Sequence, residues 1–566
     1  MTTVAHQQRL KTREKRRKKL SAQYIAWLIH SFFGLKLTLA LALVLFTGAI
    51  AVLAEEIDWL VYPEMRVERQ PGQVHLSPGQ IVDNIKKSHP DLGVYYVQTY
   101  PDRPYLAAQV DFDRPDGSWG KLWINPYTGE INGELDYLTP GRFFGNLHGD
   151  LFLGRPGRIL VNFTGVLVLL ALVTGLIAYP KFWRYFFSKP RTGNLRVFLG
   201  DLHKFIGLWS LWIVVCIAIS GSWWFYRFPL AFYTDMPLLV EPMKPKPLLD
   251  YDRIPERPKT ISVAELVTET EKTYPDLKVH IVRPPEHNSD VYTLIAQPNN
   301  WLLTAWRGDK VYASPFTGEI VDTDLVADRT PGQRFDSAMG PLHYGNWGTG
   351  QGYLLVRFAW FFGGLAMTFL CISGMLIYYK RARKASKKLK QYHWFAQRIP
   401  VLQSEKSQQT WRVLRPFGGP MSGFKYLNIA VLVGMCLGFI QFFTVQSSGS
   451  SALPDIHHYS EKPLGPWQIS AHVVPDLPGQ SPVRAGTQIS LNVNIPIQAL
   501  DDIKFIYARV GKPRTMRAPG RIIHGVVGSK HVHLPVPDRA NQDSQLWLTA
   551  ETWEGQFYQT SWPLFP

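Results

Sequence analysis

The chain has 566 residues and a formal net charge of +17, with Trp, Tyr and Phe present 19, 25 and 31 times. Its length and blockwise apolar residues exclude one small soluble domain. The basic residues gather in short connections between those blocks, which excludes the single exposed basic face that nucleic-acid binding needs.

Residues 1–26 form a basic N-terminus with eight Lys and Arg in its first twenty positions. The apolar block at 27–54 is long enough to cross a bilayer, for which about 20 residues suffice. It exceeds a signal peptide's apolar region and has no small-residue cleavage site, so it is expected to be a retained transmembrane helix. Further apolar blocks at 158–180, 205–228, 353–379 and 426–446 give five crossings. The connections 181–204 and 380–425 carry six and twelve basic residues; with the N-terminus, 26 bases stand against three acids. The positive-inside rule then places these segments in the cytoplasm and the C-terminus outside. Cys216, Cys371 and Cys436 all fall in apolar blocks, so neither a disulfide framework nor a zinc spacing is expected.

The outward segments 55–147 and 229–342 share a pattern. Each has an amphipathic helix candidate ending at a proline, LSPGQIVDNIKKSHP from Leu76 and ISVAELVTETEKTYP from Ile261. Strands follow, then the turns WINPYTGEI (123–131) and YASPFTGEI (312–320), then a Thr-Pro-Gly loop and a Leu-His pair at His148 or His343. The expected unit is therefore span, helix-plus-strand domain, His-bearing loop and span, occurring twice. The parts of this plan are spans 27–54 and 203–228, loop-plus-span segments 148–180 and 343–379, and basic loops 181–202 and 380–425. A fifth span at 426–446 leads into 447–566, whose short alternating segments suggest a small antiparallel sandwich.

IHSFFGL from Ile29 and LHKFIGL from Leu202 open spans one and three, so His30 and His203 are expected near the inner face. His148 and His343 precede spans two and four, near the outer face. Two imidazoles alone leave tetrahedral zinc two donors short but suffice for haem, whose porphyrin supplies four donors. Gly34 and Gly207, one turn after His30 and His203, would clear space for the macrocycle or a neighbouring helix. Thr47-Gly48, Thr174-Gly175, Ser220-Gly221 and Ser373-Gly374 are assigned to close helix packing. Lys36 and Arg357 could meet a haem propionate or snorkel. HVH from His531 sets two rings on one strand face, a pattern able to bind metal but more often surface decoration. No nucleotide-binding motif is present, so any electron donor is separate.

These features, the HxxxGL openings, the Leu-His pairs at 147–148 and 342–343 and the PYTGEI/PFTGEI turns, resemble a known family. It comprises bacterial inner-membrane proteins with PepSY domains and PepSY-associated transmembrane helices. The likeness covers about residues 20–385. Some members are ferric-siderophore reductases with b-type haems. The resemblance implies an integral membrane, mainly α protein with duplicated α+β PepSY-like periplasmic domains. It also implies two haems b, one on His30 and His203 and the other on His148 and His343. The implied activity is electron transfer from a cytoplasmic or quinone donor to a periplasmic ferric siderophore. The fifth span and the C-terminal all-β periplasmic domain depart from the simpler four-span pattern. A non-enzymatic regulator of periplasmic proteins or peptidases, or a siderophore or metal permease, is the alternative; a permease would carry charged or broken helices at mid-membrane.

Overall fold

The structure is a computed structural model that describes residues 21–68, 72–113, 119–136, 138–230, 238–255, 261–298, 303, 305–348, 350–396, 433, 436, 457–474, 483–528 and 530–565. The apolar block at 27–54, expected as one helix, is three: α1 (Ala22–Lys36), α2 (Thr38–Val52) and α3 (Ala54–Val61). The chain leaves helical geometry at Leu37 (φ −117°, ψ 14°), and α3 is bent by 57° from α2. An apolar run carries no signal for such breaks, because both sides are equally apolar.

After α4 (Pro78–Ser88) and strands β1 (Gly93–Gln98), β2 (Ala108–Asp113), β3 (Trp119–Ile124) and β4 (Ile131–Asp136) come α5 (Pro140–Asp150) and α6 (Arg155–Ala178). The second half begins with α7 (Leu195–Trp209) and α8 (Leu211–Phe225), again broken seven residues after a histidine, at Ser210. The Ser210 hydroxyl donates to the Ile206 carbonyl at 2.7 Å, a back-bond that bends helices. Then follow α9 (Val263–Thr273), β5 (Leu277–Arg283), β6 (Tyr292–Pro298), β7 (Asp309–Ala313), β8 (Ile320–Asp324), α10 (Pro331–Tyr344) and α11 (Gly350–Ala396). Helix α11 continues well past the expected end of its span into the basic connection. Among the described residues three helices are long and apolar enough to cross a membrane: Arg155–Ala178, Leu211–Leu230 and Gly352–Ile377. The bent pair α2 and α3 makes a fourth if counted as one. The expected fifth span at 426–446 lies outside the described residues except for positions 433 and 436.

Small residues bring the helices together. A Cβ on Gly165 of α6 would lie 2.4 Å from the Gly221 carbonyl carbon of α8, and one on Gly364 of α11 would lie 2.7 Å from Ala49 Cβ of α2. Such close approach is how apolar helices associate where burial from water offers little drive. Leu41, Leu45, Leu167, Val168, Ile213, Val214, Ala218 and Met367 fill the space between.

The two outward segments join in one eight-stranded antiparallel sheet, ordered β4-β3-β2-β1-β5-β6-β7-β8. The seam is β1 against β5, with Val97 opposite Val282. Both TGE motifs close hairpins with a left-handed glycine, Gly129 at φ 80° and Gly318 at φ 73°, which a side chain would strain. Helices α4 and α9 lie together over the seam, burying Ile81, Val82, Ile85, Val263, Leu266 and Val267 with the sheet. The Asp83 carboxylate of α4 accepts from Val263 N and Ala264 N at 3.0 and 2.9 Å, capping α9.

The Thr-Pro-Gly segments, expected as loops, are helix starts. Thr139 and Thr330 are N-caps, Pro140 and Pro331 stand at the first helical position, and Thr330 forms a capping box with Gln333. His148 and His343 are thus helical. Buried Arg329 fixes α10 to the sheet: it donates to Asp324 Oδ1 and Oδ2 at 2.8 and 3.0 Å, Gly308 O at 2.9 Å and Ser337 Oγ at 3.2 Å.

Residues 457–565 form the expected sandwich. Its sheets are β14-β11-β10-β9 and β13-β12-β15-β16, from β9 (His457–Leu464), β10 (Trp467–Val474), β11 (Gln488–Asn494), β12 (Ile503–Val510), β13 (Arg521–Ile522), β14 (Lys530–Pro535), β15 (Gln545–Thr552) and β16 (Phe557–Pro563). Cys216, Cys371 and Cys436 are free thiols.

Arg329→Ala leaves the Asp324 carboxylate without its buried partner and is expected to cost about 3–5 kcal/mol. Lys310→Ala, which removes a more exposed cation 3.4 Å from the same carboxylate, should cost less. Hydrogen exchange across β7, β8 and α10 reads both.

Candidate functional site

The four sequence-selected histidines occupy four closely similar seats. His30 Nδ1 lies 2.9 Å from Ala171 O on α6, and His148 Nδ1 lies 2.8 Å from Val44 O on α2. His203 Nδ1 is 2.8 Å from Ser373 Oγ on α11, and His343 Nδ1 is 3.0 Å from Ser220 Oγ on α8. All four rings are half-buried.

At His30 and His148 the contact fixes the tautomer by chemistry. A carbonyl only accepts, so Nδ1 of His30 and His148 carries the proton. Ser220 Oγ already donates to Cys216 O at 2.7 Å, and Ser373 Oγ lies 3.3 Å from Leu370 O as donor. Each hydroxyl is then an acceptor towards its histidine. In the neutral ring Nε2 keeps its lone pair, the form in which imidazole binds a metal.

The floor of each seat is a glycine on the opposing helix. A Cβ on Gly48 would lie 2.7 Å from His148 Cε1, on Gly175 3.2 Å from His30 Cε1, on Gly374 3.6 Å from His203 Cε1, and on Gly221 4.0 Å from His343 Cε1. The hydroxyl-glycine pairs assigned to packing are therefore where the histidines dock. The glycines expected to clear space do less: a Cβ on Gly207 would make ordinary contact with Leu370 at 3.7 Å. The side-chain surroundings of Gly34 and Lys36 lie outside the described residues. Arg357 is held by Glu56 at 2.6 and 2.7 Å, so its carboxylate partner is a side chain of this protein.

The seats bring the rings into pairs. His148 and His343 have ring centroids 6.0 Å apart and planes inclined by 34°, and Trp224 packs on His343 at 4.5 Å. His30 on α1 and His203 on α7 dock against α6 and α11 next to the basic connections. Imidazoles bound through nitrogen at about 2.0–2.1 Å on opposite sides of one metal hold their centres about 6 Å apart. Among the described residues no three His, Cys, Asp or Glu side chains converge to hold a metal ion unaided. The pairs thus suit a metal that brings its own equatorial donors, and the glycine floors and Nδ1–H anchors fit axial ligation of haem.

Between the sheet and the helix ends lies a cleft of about 1210 Å³. Tyr96, Tyr100, Arg103, His280, Trp306 and Trp347 are among its walls. Three polar atoms of residues along it, His75 Nδ1, Asn346 Oδ1 and Trp347 Nε1, are buried with no hydrogen-bond partner among the described residues. Burial holds His280 below the usual histidine range and Tyr96 and Tyr100 above the usual phenol range. Arg103 pairs with Glu55 and lies over the rings of Tyr100 and Tyr353 at 4.3 and 4.7 Å. Asn346 and Trp347 follow His343 by three and four residues, so one end of the cleft adjoins that histidine's helix. Of the aromatics of the outward domains, Tyr96 and Trp306 line the cleft and Trp123 is core. His75, His280 and Arg103 carry no periodic signal and are found only in the fold.

Apolar helices of spanning length beneath an antiparallel sheet define a membrane protein with a sheet-bearing domain. Residues 27–381 match the model of the PepSY-associated TM region, and the chain belongs to that family. Residues 423–565 match a second family, described only as an uncharacterised conserved protein. No curated protein matches the chain.

The seats rank by clearance. Gly48→Ala forces His148 out of position and is expected to cost about 1–3 kcal/mol, the range for overpacking. Gly175→Ala should cost less, and Gly374→Ala and Gly145→Ala, the last facing open space, almost nothing. Thermal unfolding of the detergent-solubilised variants checks the order.

Proposed function

We propose that this protein is a haem-bearing reductase of the bacterial inner membrane that delivers electrons to a ferric chelate, a siderophore or its like, on the sheet side. The observation that carries the reading is the set of four Nδ1-anchored imidazoles. Each has its tautomer set for metal binding at Nε2, and His148 and His343 stand 6.0 Å apart. His148 and His343 would hold one haem b near the sheet, and His30 and His203 the other near the basic connections. When bound, these groups supply one-electron transfer.

The chain's own part is positional. Ala171 O, Val44 O, Ser373 and Ser220 orient the rings, and the glycines beneath them admit the rings to the helix surfaces. The cleft offers a chelate Arg103, aromatic walls and the unpaired atoms of His75, Asn346 and Trp347. An iron(III) chelate with hard oxygen donors loses affinity on reduction to iron(II), so a reductase opening into this cleft would release the metal there. Positive-inside charge supports an N-terminus in the cytoplasm, with the sheet and sandwich in the periplasm.

The test is the visible spectrum of detergent-purified protein from haem-replete cells. A low-spin bis-histidine Soret band with two haems per chain is expected. His148→Ala or His343→Ala should remove one haem, and His30→Ala or His203→Ala the other. Trp347→Ala should raise KM for a ferric hydroxamate while haem content stays unchanged. A colourless protein would overturn the proposal.

A further inference from the structure

The outward face of the β14-β11-β10-β9 sheet carries a row of polar rings fixed by strand register. His458 on β9 lies opposite His472 on β10, His472 opposite Asn492 on β11, and Asn492 opposite His531 on β14. His531 in turn bridges to His524, just past the sheet edge. Directly opposed residues share one face of a sheet. The alternate positions Tyr459, Ala471, Val473, Leu491, Val493 and Val532 are all in the sandwich core, so the row points away from it.

The rings meet in two pairs. His458 and His472 have centroids 5.5 Å apart with planes inclined by 37°; His524 and His531 are 4.3 Å apart at 68°. Two imidazoles on one tetrahedral metal, bonded at about 2.0–2.1 Å, have centres about 5 Å apart, a value the two pairs bracket. A carboxylate oxygen of Glu286, from the turn between β5 and β6, lies 3.3 Å from His524 Nδ1. That contact leaves Nε2 as the coordinating atom and orients the ring as carboxylates behind metal-binding histidines do.

We infer that this row binds divalent late transition-metal ions, of the class of Cu(II) and Zn(II), at two histidine-pair sites. Imidazole nitrogen suits these ions, with Cu(II) bound more tightly than Zn(II). Water completes each coordination sphere, since no third His, Cys, Asp or Glu converges among the described residues. Ions held by two protein ligands in half-exposed sites exchange freely, so the row is a place of capture and release. The inference is independent of haem at the four helix histidines.

Full-length protein carrying a non-histidine tag, purified in detergent and stripped with EDTA, is dialysed against Zn(II), with Cu(II) in parallel. Bound metal is counted by mass spectrometry, iron separately. The wild type should hold two more Zn(II) than the His472→Ala/His531→Ala double variant, and each single variant one fewer than wild type. His458→Gln, at an exposed edge position, should reproduce the His472→Ala loss without touching the core. Equal zinc content in wild type and double variant, or unchanged content in both single variants, would overturn the inference.

Discussion

Four hydrogen bonds from imidazole Nδ1 to the opposing helix hold the membrane part of this protein in register. Each links two helices of the same half: α1 to α6, α5 to α2, α7 to α11 and α10 to α8. The glycine contacts at Gly165–Gly221 and Gly364–Ala49 run between halves. Directional bonds therefore set the geometry within each half, and small-residue packing sets the fit between them. His148 and His343 meet where both constraints apply.

An unsatisfied polar group in an apolar setting costs several kcal/mol. The half-buried rings reduce that cost by spending Nδ1–H on a carbonyl or on a hydroxyl already committed to its own helix. A side chain on Gly48 or Gly175 would crowd the ring away from its carbonyl acceptor, while at the Ser220 and Ser373 seats the hydroxyl beside the glycine meets the ring. The cleft follows the opposite rule. Its buried His75, Asn346 and Trp347 atoms have no partner among the described residues.

Much of this was legible in the sequence, for identifiable reasons. Apolar length marked the spans, and the TGE turns and amphipathic segments gave the helix-and-strand domains. The paired histidines stood out because they recur at matching offsets. The hydroxyl-glycine pairs were visible too, but sequence spacing relates them to the histidine that precedes them in the chain, whereas the contact is with the other histidine of the same half. The breaks at Leu37 and Ser210 are marked only by a single polar residue each, Lys36 and Ser210, which apolar runs of this length also carry without breaking. The joining of two strand sets into one sheet was equally hidden, because β1 and β5 are nearly two hundred residues apart and both read as central strands. Thr-Pro-Gly carries the punctuation of a loop, yet its threonine caps the helix that its proline begins.

The sandwich grips the second half of the sheet. Leu249, Ile254, Val291 and Tyr312 enclose Phe505, and Asn288 donates to Lys504 O at 2.7 Å. The β1–β4 half is touched mainly at Gly93, where a Cβ would strike Val527 O at 2.1 Å. That glycine stands at the start of β1, one of the two seam strands, so the sandwich reaches the junction of the halves while gripping the second. A domain held in this way restrains the seam without covering the cleft, whose walls include no residue beyond Tyr353. The chain thus separates its tasks: the helices fix the rings, the sheet forms the roof of the cleft, and the sandwich presents a different surface beside it.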